Sequence, residues 1–357
     1  MVNPTQIKKR MLKEVATFKY GIGNTIPSDG GKYPVYGCNG IVGYTSKYNN
    51  EDTPIIGHIG SAGVVVWAEG KHYVTYNGTI CKANDNIVDK HYLYYQLQFL
   101  KLEDYLKGGQ PFLSVSDFDT FHIYVPSLKE QKEIAHILGI FDRHMDNLTR
   151  LIEKKKAIRD GALEDLMNGK IRLDGFHGEW KEESLGNLLK YEQPQNYIVK
   201  STKYSNEFKI PVLTAGQSFI LGYTHENFGI KRASKENPIL LFDDFTTSVQ
   251  FADFPFKVKS SAMKLLTLSD NENNIYFMYN LLKRLSYEVE THERHWISQF
   301  AKYKVFVPPY EEQQAVAEVL KAMEDEIRLL EKEFDKIKQI KEGAMEELLM
   351  GQFCLTI

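Results

Sequence analysis

The stretch that decides the fold is residues 125–173, VPSLKEQKEIAHILGIFDRHMDNLTRLIEKKKAIRDGALEDLMNGKIRL, because the chain repeats it later. Residues 307–355 read VPPYEEQQAVAEVLKAMEDEIRLLEKEFDKIKQIKEGAMEELLMGQFCL and align with it without a gap. Sixteen of the 49 aligned positions are identical, which is enough to indicate an internal duplication. The identical pairs include Pro126/Pro308, Glu130/Glu312, Gln131/Gln313, Gly161/Gly343 and Gly169/Gly351.

Both copies are predicted to be long helices with one apolar stripe. Apolar residues recur by alternating steps of four and three, the period of a coiled-coil seam. The stripe comprises Ile134, Leu138, Phe141, Met145, Leu148 and Ile152 in the first copy and Val316, Leu320, Met323, Ile327, Leu330, Phe334 and Ile337 in the second. Each helix is predicted to begin just after the proline and the Glu-Gln pair and to end at its C-cap glycine. About 40 residues make a rod of about 60 Å.

A helix with one apolar stripe must bury that stripe against something. The first expectation is that the two copies pack against each other as an intramolecular antiparallel coiled coil, which would give the chain a pseudo-twofold axis. The alternative is a homodimer in which each helix pairs with its mate in a second chain. Gly161 and Gly343 lie inside the helices, where glycine costs about 1 kcal/mol relative to alanine. Either another backbone approaches closely there, or the glycines are simply tolerated.

The segments before each helix, residues 1–124 and 174–306, are of a different kind. They are rich in aromatic residues, glycine and short β-type runs, such as residues 63–68, 71–77 and 238–243. They also resemble each other weakly: KYPV at 32–35 corresponds to KIPV at 209–212, and residues 92–95 correspond to 276–279 as a short amphipathic helix. The predicted order is therefore domain 1–124, helix 125–173, domain 174–306 and helix 307–357, an α+β fold with two related globular α/β domains.

Composition and charge exclude several classes of protein. The 357 residues carry a net charge of −3, and residues 311–350 hold 12 acidic against 6 basic side chains, so the chain is not a strongly basic, non-specific nucleic-acid binder. No run approaches the roughly 20 apolar residues of a membrane helix, and no signal peptide is recognisable. Three cysteines far apart in sequence make no disulfide framework. A reducing cytoplasm fits this composition best.

At the two Val-Pro-x-x-x-Glu-Gln helix starts, the chain resembles the specificity (S) subunit of type I restriction-modification systems. The resemblance covers essentially the whole chain: two target-recognition domains, each followed by a long helix. Residues 56–63, IGHIGSAG, resemble the Gly-Ser-x-Gly turn of such domains, whereas the second domain has LFDDFTTS at 241–248. The target of the second domain therefore cannot be inferred from the first.

The resemblance implies a division of labour. The chain would read double-stranded DNA at a two-part site with an unread spacer, and its helices would set that spacer and dock two adenine methyltransferase (M) subunits. Restriction/translocase (R) subunits would join this core. Catalysis and S-adenosylmethionine would belong to the methyltransferase partner, so this chain would hold no cofactor or metal and carry out no reaction.

Motifs for an enzyme are weak. Val307-Pro-Pro-Tyr310 imitates the Asn/Asp-Pro-Pro-Tyr/Phe turn of adenine methyltransferases but lacks the leading acceptor, and we interpret it as a helix entry. No G-x-G-x-x-G or Walker A motif occurs, which disfavours a fused methyltransferase. The remaining rival is a coiled-coil protein-interaction scaffold without a role on DNA.

Base reading requires side-chain donors and acceptors that reach base edges. The strongest candidates lie in two corresponding loops, Lys107–Ser114 and Thr291–Ser298. Gln110 can bond adenine through two hydrogen bonds, and Arg294 and His295 are the candidate base readers of the second loop. An ordinary surface loop is the alternative interpretation of each. The full set of DNA-binding candidates is Lys32, Tyr36, Asn39, His58, Ser61, Gly109, Gln110, Ser114 and Ser116 in the first domain, and Gln217, Tyr223, His225, Lys231, Arg232, Thr246, Thr247, Arg294, His295 and Ser298 in the second.

Overall fold

The structure is a computed structural model that describes residues 8–23, 25–106, 112–214, 218–285, 296 and 299–351. The chain divides into two compact units. Unit 1 comprises Met1–Arg150 with Glu331–Ile357, and unit 2 comprises Leu151–Leu330. Each long helix therefore contributes one half to each unit.

Unit 1 begins with a strand and a short helix, which are followed by a six-stranded sheet. In chain order its elements are β1 Lys8–Met11, α1 Leu12–Val15, β2 Ala16–Tyr20, β3 Tyr33–Tyr36, β4 Ile41–Thr45, β5 Asn50–Gly57, β6 Val65–Val74, β7 Gly78–Ala83, α2 Lys90–Phe99, β8 His122–Val125 and the first half of α3, a helix that spans Leu128–Met167. The main sheet has the order β2-β7-β5-β6-β3-β4, and β1 pairs with β8. The two β-type runs at 63–68 and 71–77 proved to be parts of one strand, β6, and the turn after it.

Unit 2 repeats this order. Its elements are β9 Lys181–Ser184, α4 Leu185–Leu188, β10 Leu189–Glu192, β11 Ile210–Leu213, β12 Ile220–Thr224, β13 Ile239–Asp243, β14 Val249–Ala252, β15 Lys257–Val258, β16 Met263–Leu268, α5 Ile275–Leu285, β17 Lys304–Val307 and the first half of α6, a helix that spans Tyr310–Leu349. The sheets are β10-β16-β13-β14 and β12-β11-β15, and β9 pairs with β17.

The two units share strand pairings to the residue. Strand β3 pairs antiparallel with β4 and parallel with β6, and β11 pairs in the same way with β12 and β15. Both hairpins shift register at the same place, between Val35 and Tyr36 and between Val212 and Leu213. The units differ in that the long β6 corresponds to two shorter strands, β14 and β15, and in that β5 pairs with β6 over more residues, with a register shift between Glu51 and Thr53. The sequence correspondence between KYPV and KIPV is therefore confirmed.

Within each unit, the halves of the long helices pack antiparallel. In unit 1 Lys341 Nζ of α6 lies 2.5 Å from Asp142 Oδ1 of α3, and in unit 2 Arg159 of α3 reaches Glu324 of α6 at 3.1 Å. The two ion pairs occupy equivalent places in the repeat, since both offsets are 182 residues. The intramolecular antiparallel coiled coil is confirmed. All thirteen predicted seam residues are buried or half-buried.

The ends of the helices differ slightly from the prediction. The helices begin at Leu128 and Tyr310, before the Glu-Gln pair and not after it. At the other end, Gly169 and Gly351 follow the last helical residue by two positions with φ of +69° and +68°, as predicted for C-cap glycines. The stripe also continues beyond Ile152 to the buried Leu163, Leu166 and Met167. The apolar spacing does not show this continuation, because Lys155 and Arg159 occupy the two intervening seam positions.

The Glu-Gln pair is repeated because its glutamine ties the long helix to its domain. Gln131 accepts a hydrogen bond from the N–H of Asp89, the N-cap of α2, and donates to Pro126 O. Gln313 accepts from the N–H of Asn274 and donates to Pro308 O in the same way. The two glutamines thus satisfy otherwise unpaired backbone groups where the helix starts.

The mid-helix glycines are not sites of close backbone approach within this chain. A Cβ added at Gly161 or Gly343 would meet no atom within 4 Å in the described structure. Across the described ranges, no helix has the length and apolarity needed to cross a membrane.

Candidate nucleic-acid interface

In unit 1 several candidate residues meet where strands end. The β5–β6 turn, residues 57–63, carries His58 and Ser61, and Leu113 donates its N–H to the carbonyl of His58. Ser114 and Ser116 follow Leu113 by one and three positions, and their hydroxyl oxygens lie 2.9 Å apart. The structure therefore brings His58, Ser61, Ser114 and Ser116 to one face, which we name the unit 1 strand-end face.

The β3–β4 turn adds to the same face. Gly57 approaches the carbonyl of Cys38 so closely that a Cβ would lie 2.5 Å from it, which places exposed Asn39 next to the β5–β6 turn. Gly57 is therefore required as glycine by close packing. Lys32 is exposed before β3, with its ammonium 5.1 Å from the Tyr33 ring. Tyr36, in contrast, is buried against His72 in the domain core, and burial raises its pKa.

Aromatic rings surround His58. The Tyr20 ring lies 4.2 Å and the Tyr76 ring 5.4 Å from the imidazole, measured between centroids. Tyr20 also accepts the Val115 N–H through its hydroxyl oxygen. The imidazole Nδ1 lies 2.6 Å from Leu113 O, and because a carbonyl only accepts, Nδ1 must carry the proton. Buried His58 is therefore a structural donor at the base of the face, and Tyr76 is the exposed ring beside it.

In unit 2 the equivalent turn connects β13 and β14 and spans residues 243–248. The Asp243 carboxylate accepts the N–H groups of Phe245 and Thr246, which closes the turn. Thr247 has φ of +57°, a conformation that β-branched residues rarely adopt, and its hydroxyl donates to Thr246 O. Thr246 is exposed, whereas Thr247 is buried. Of the two threonine candidates, Thr246 therefore has the accessible hydroxyl.

A buried ion pair lies under this turn. Asp244 Oδ2 is 2.8 Å from Lys264 Nζ, and Asp244 Oδ1 accepts the N–H of Trp296. Lys264 also donates to Gln193 Oε1, at the end of β10. Both ionic side chains are almost completely buried, so each needs the other to offset the loss of hydration.

The remaining unit 2 candidates lie on other strands and loops. Tyr223 is half-buried in β12, His225 is exposed beside the Phe208 ring, and Arg232 is exposed. Lys231 pairs with Glu192 and lies 5.1 Å from the Tyr197 ring. Burial acts to raise the pKa of Glu192, but hydrogen bonds from Lys231 and Tyr197 hold it below its ordinary value.

Some candidates fall outside the described residues, so their positions stay predictions. They are Gly109, Gln110, Gln217, Arg294, His295 and Ser298. Sequence reasoning in turn missed Tyr20, Tyr76, Gln193, Lys264 and Trp296, which support the two turns. Only the strand register could have identified them, because each is distant in sequence from the turn it contacts. Among the residues that the structure describes, no three His, Cys, Asp or Glu side chains are grouped as metal ligands would be.

Comparison with known proteins agrees with this architecture. The family model for the type I restriction modification DNA specificity domain matches twice, at residues 4–157 and 177–339. The crystal structure of the type I restriction-modification S subunit from M. genitalium superimposes with a TM-score of 0.73 at 20% identity. The superposition covers 98% of this chain and 97% of that one, and it shows that the fold is shared.

Curated relatives carry the same description. The specificity subunit of the Escherichia coli type I restriction enzyme EcoR124I/EcoR124II is 38% identical over 201 residues, which are 50% of this chain and 49% of that protein. The chain thus spans about half the length of that relative. A putative type I specificity subunit from Methanocaldococcus jannaschii, MjaX, is 24% identical over 86% of this chain and 77% of its own length. With two matched domains covering most of its length, the chain belongs to the type I restriction-modification DNA specificity family.

Proposed function

We propose that this chain is the DNA sequence-recognition subunit of a type I restriction-modification complex and that each recognition domain reads one half of a two-part site. The observation that carries the proposal is the pair of equivalent turns, residues 57–63 and 243–248, on one shared strand arrangement. They present different donors and acceptors: Ser61 with Ser116 in one unit, and Thr246 in the other. Base edges are distinguished by such groups, so two unlike faces suit two unlike half-sites.

The backbone of the unit 2 turn supports a functional role. Holding Thr247 at positive φ costs about 1–3 kcal/mol, and such conformations concentrate at functional sites. Glycine at this position would relieve the backbone strain if the turn had only a structural role. The unit 1 turn has glycine at its positive-φ positions, Gly60 and Gly63. The strained threonine favours a turn whose side chains are selected for contact.

The long helices are proposed to set the spacer between the half-sites and to dock two adenine methyltransferase subunits. The support for docking is a patch that occurs once in each unit: Ile158 with Gly161 in unit 2, and Ile340 with Gly343 in unit 1. Both isoleucines are nearly half exposed, and both glycines are open. A costly mid-helix glycine retained in both copies beside an exposed isoleucine is explained by an external contact made twice.

The rest of the proposed assembly follows from the same role. Restriction/translocase subunits would join the core, the methyltransferase subunits would supply S-adenosylmethionine and the reaction, and the complex would work in the cytoplasm. The chain itself would neither methylate nor cleave DNA. Methylation of DNA by this chain alone in the presence of S-adenosylmethionine would contradict the proposal.

The reading role is tested by methylation mapping in a host that expresses this chain with its methyltransferase. We expect modified adenines in one gapped site, and exchange of residues 1–124 for another recognition domain should change one half-site only. Lengthening both long helices by equal heptads should change the spacer but neither half-site. A domain exchange that altered both half-sites would contradict the proposal. A gel shift of the complex on random duplex excludes the rival scaffold function.

The docking role is tested by counting methyltransferase subunits on each chain by native mass spectrometry. Ile158→Glu or Ile340→Glu should reduce the number from two to one, and the double variant should retain none. The matched control is Leu329→Glu, because Leu329 is exposed on the same helices but is asparagine in the other copy. Loss of a subunit in the control, or two subunits in the double variant, would place the docking surface elsewhere.

A further inference from the structure

Positions 58 and 244 are equivalent in the two units. Ile56 pairs with Thr79 and Gly57 with Gly78, while Phe242 pairs with Lys264 and Asp243 with Met263. His58 and Asp244 therefore each follow the last residue of the corresponding strand by one position. Both are almost completely buried, and neither shares the chemistry of the other.

In unit 1 the residue at this position is a hydrogen-bond donor. His58 Nδ1 donates to Leu113 O at 2.6 Å, and the His58 carbonyl accepts the Leu113 N–H at 3.2 Å. Its own N–H donates to Asn77 O. One residue thus joins three segments: the β5–β6 turn, the β6–β7 turn and the segment that begins at Leu113. Ser114 and Ser116 lie one and three residues beyond Leu113.

In unit 2 the residue at this position is an acceptor. Asp244 Oδ1 accepts the Trp296 N–H at 3.1 Å, and the Asp244 N–H donates to Ala262 O, in the turn that corresponds to Asn77. Trp296, like Leu113, lies between the domain's α-helix and the strand that precedes the long helix. The same three segments are therefore joined, with the side-chain hydrogen bond reversed in direction.

We infer that His58 and Asp244 are positioning residues. His58 holds the turn 57–63 in place for reading one half-site, and Asp244 holds the turn 243–248 in place for reading the other. His58 fixes its turn to Leu113, and Asp244 fixes its turn to Trp296. Loss of either side-chain hydrogen bond would let the turn shift, although every side chain proposed to contact DNA is still present. The inference rests on the proposed function. His58 donates its side-chain hydrogen bond, whereas Asp244 accepts one. A side chain that replaces the donor in unit 1 therefore cannot replace the acceptor in unit 2, and the two positions act independently.

The experiment uses the full chain in complex with its methyltransferase and DNA duplexes that contain the mapped site or one mismatch in either half. The quantity measured is the ratio of kcat/KM on the matched and mismatched duplexes, taken separately for each half-site. His58→Gln moves the donor one bond outward, whereas His58→Asn keeps an N–H donor at the place of Nδ1. We expect His58→Gln to lower discrimination in one half-site by about tenfold and His58→Asn to retain it.

The unit 2 pair is Asp244→Leu and Asp244→Asn. Both break the ion pair with Lys264, so both lose stability, but only asparagine keeps an acceptor for the Trp296 N–H. We expect Asp244→Leu to lower discrimination in the other half-site by about tenfold, and Asp244→Asn to preserve most of it at a lower melting temperature.

Matched controls are present in each unit. His72 is buried and lies 2.8 Å from Gly70 O through its Nδ1, and Glu226 is a buried carboxylate paired with Lys257. His72→Gln and Glu226→Gln should lower the melting temperature and leave both discrimination ratios unchanged. A merely structural role for positions 58 and 244 would make their variants behave like these controls.

The outcomes separate the two proposals. If the wild-type complex recognises no two-part site, the proposed function fails and this inference fails with it. If the wild type discriminates in both halves but His58→Gln and Asp244→Leu leave the ratios unchanged, or lower both halves alike, only this inference is overturned. A His58→Asn variant as permissive as His58→Gln also overturns it, since the donor would then be irrelevant.

Discussion

The two recognition domains have the same strand pairing but different interiors, and the difference shows what the scaffold requires. Unit 2 buries two lysine–carboxylate pairs, Lys257–Glu226 and Lys264–Asp244, inside the domain. By strand register, Lys257 corresponds to Tyr73 and Lys264 to Thr79 in unit 1. Since the sheet is the same with or without these charges, backbone pairing and apolar packing define it.

The largest expected effect comes from breaking one of these pairs. Lys257→Met leaves Glu226 buried without its cation, and removing one partner of a buried pair costs about 3–5 kcal/mol. Adding Glu226→Gln should restore much of the stability, because the amide oxygen can still accept the N–H groups of Lys200 and Ser201. The free energy of unfolding in urea measures both. A double variant no more stable than Lys257→Met would show that the charge is not the source of the cost.

A smaller and equal effect is expected at the two helix starts, where the units agree. Gln131→Ala and Gln313→Ala each remove three hydrogen bonds and leave buried backbone groups without partners, at a cost of about 1–3 kcal/mol. The exposed neighbour Gln314→Ala is the control and should change little. Amide exchange should report the loss in unit 1 for Gln131 and in unit 2 for Gln313. Strongly unequal losses of stability in the two variants would show that the glutamines have the same geometry but do not contribute equally to stability.

The contrast between helices and domains also explains what the sequence could predict. Helix periodicity and the cap glycines follow from local spacing, so they were predictable. The antiparallel pairing was an expectation from the repeated stripe, because spacing alone does not distinguish it from a homodimer. The roles of His58 and Asp244 were not, because each depends on partners that are distant in the sequence and on strand register. The sequence also suggested DNA contact for Tyr36 and Thr247, whose side chains the structure buries. Aromatic and hydroxyl residues serve both cores and interfaces, so composition alone cannot distinguish the two uses.

Thr79 in unit 1 occupies the strand position that corresponds to Lys264 in unit 2, so it tests what the unit 1 interior gains or loses without that charge. Its hydroxyl oxygen is buried and has no hydrogen-bond partner in the described structure, so the group has lost water without compensation. Thr79→Val keeps the shape and removes the hydroxyl, and we expect a gain of about 1 kcal/mol in the free energy of unfolding. Thr75→Val is the control, because the Thr75 hydroxyl donates to Tyr36 O and its removal should destabilise the domain. A loss of stability in Thr79→Val would indicate an unrecognised partner.

Substitution of the mid-helix glycines distinguishes their effect on the stability of the chain from their effect on methyltransferase binding. Gly161→Ala and Gly343→Ala should each stabilise the isolated chain by about 1 kcal/mol, because the added methyl groups meet open space. Gly169→Ala should instead destabilise it, since Gly169 has positive φ and the Trp180 ring lies 3.3 Å from the added Cβ. If Gly161→Ala and Gly343→Ala also weaken methyltransferase binding, the glycines are retained for the partner. Unchanged binding would leave only the isoleucines as docking residues.

The smallest effect, and the one that distinguishes the units by pH, comes from His72 and Glu226. Burial lowers the pKa of His72 below its ordinary 6.5, so the unfolded chain takes up the proton first and unit 1 loses stability as pH falls below 6.5. Burial acts to raise the pKa of Glu226, but hydrogen bonds from Ser201 and Lys200 and the Lys257 ammonium hold it below 4.5. The stability that Glu226 contributes is therefore present above pH 4.5 and is lost only below it.

Between pH 6.5 and 4.5, the buried histidine should thus weaken unit 1 while the buried carboxylate leaves unit 2 unchanged. Amide exchange, corrected for the intrinsic rate at each pH, measures the opening of each unit in the same sample. His72→Gln removes the titrating group and should abolish the loss in unit 1, although it lowers stability at neutral pH. Equal weakening of both units in this window, or a loss that persists in His72→Gln, would show that the interior charges do not set the difference between the domains.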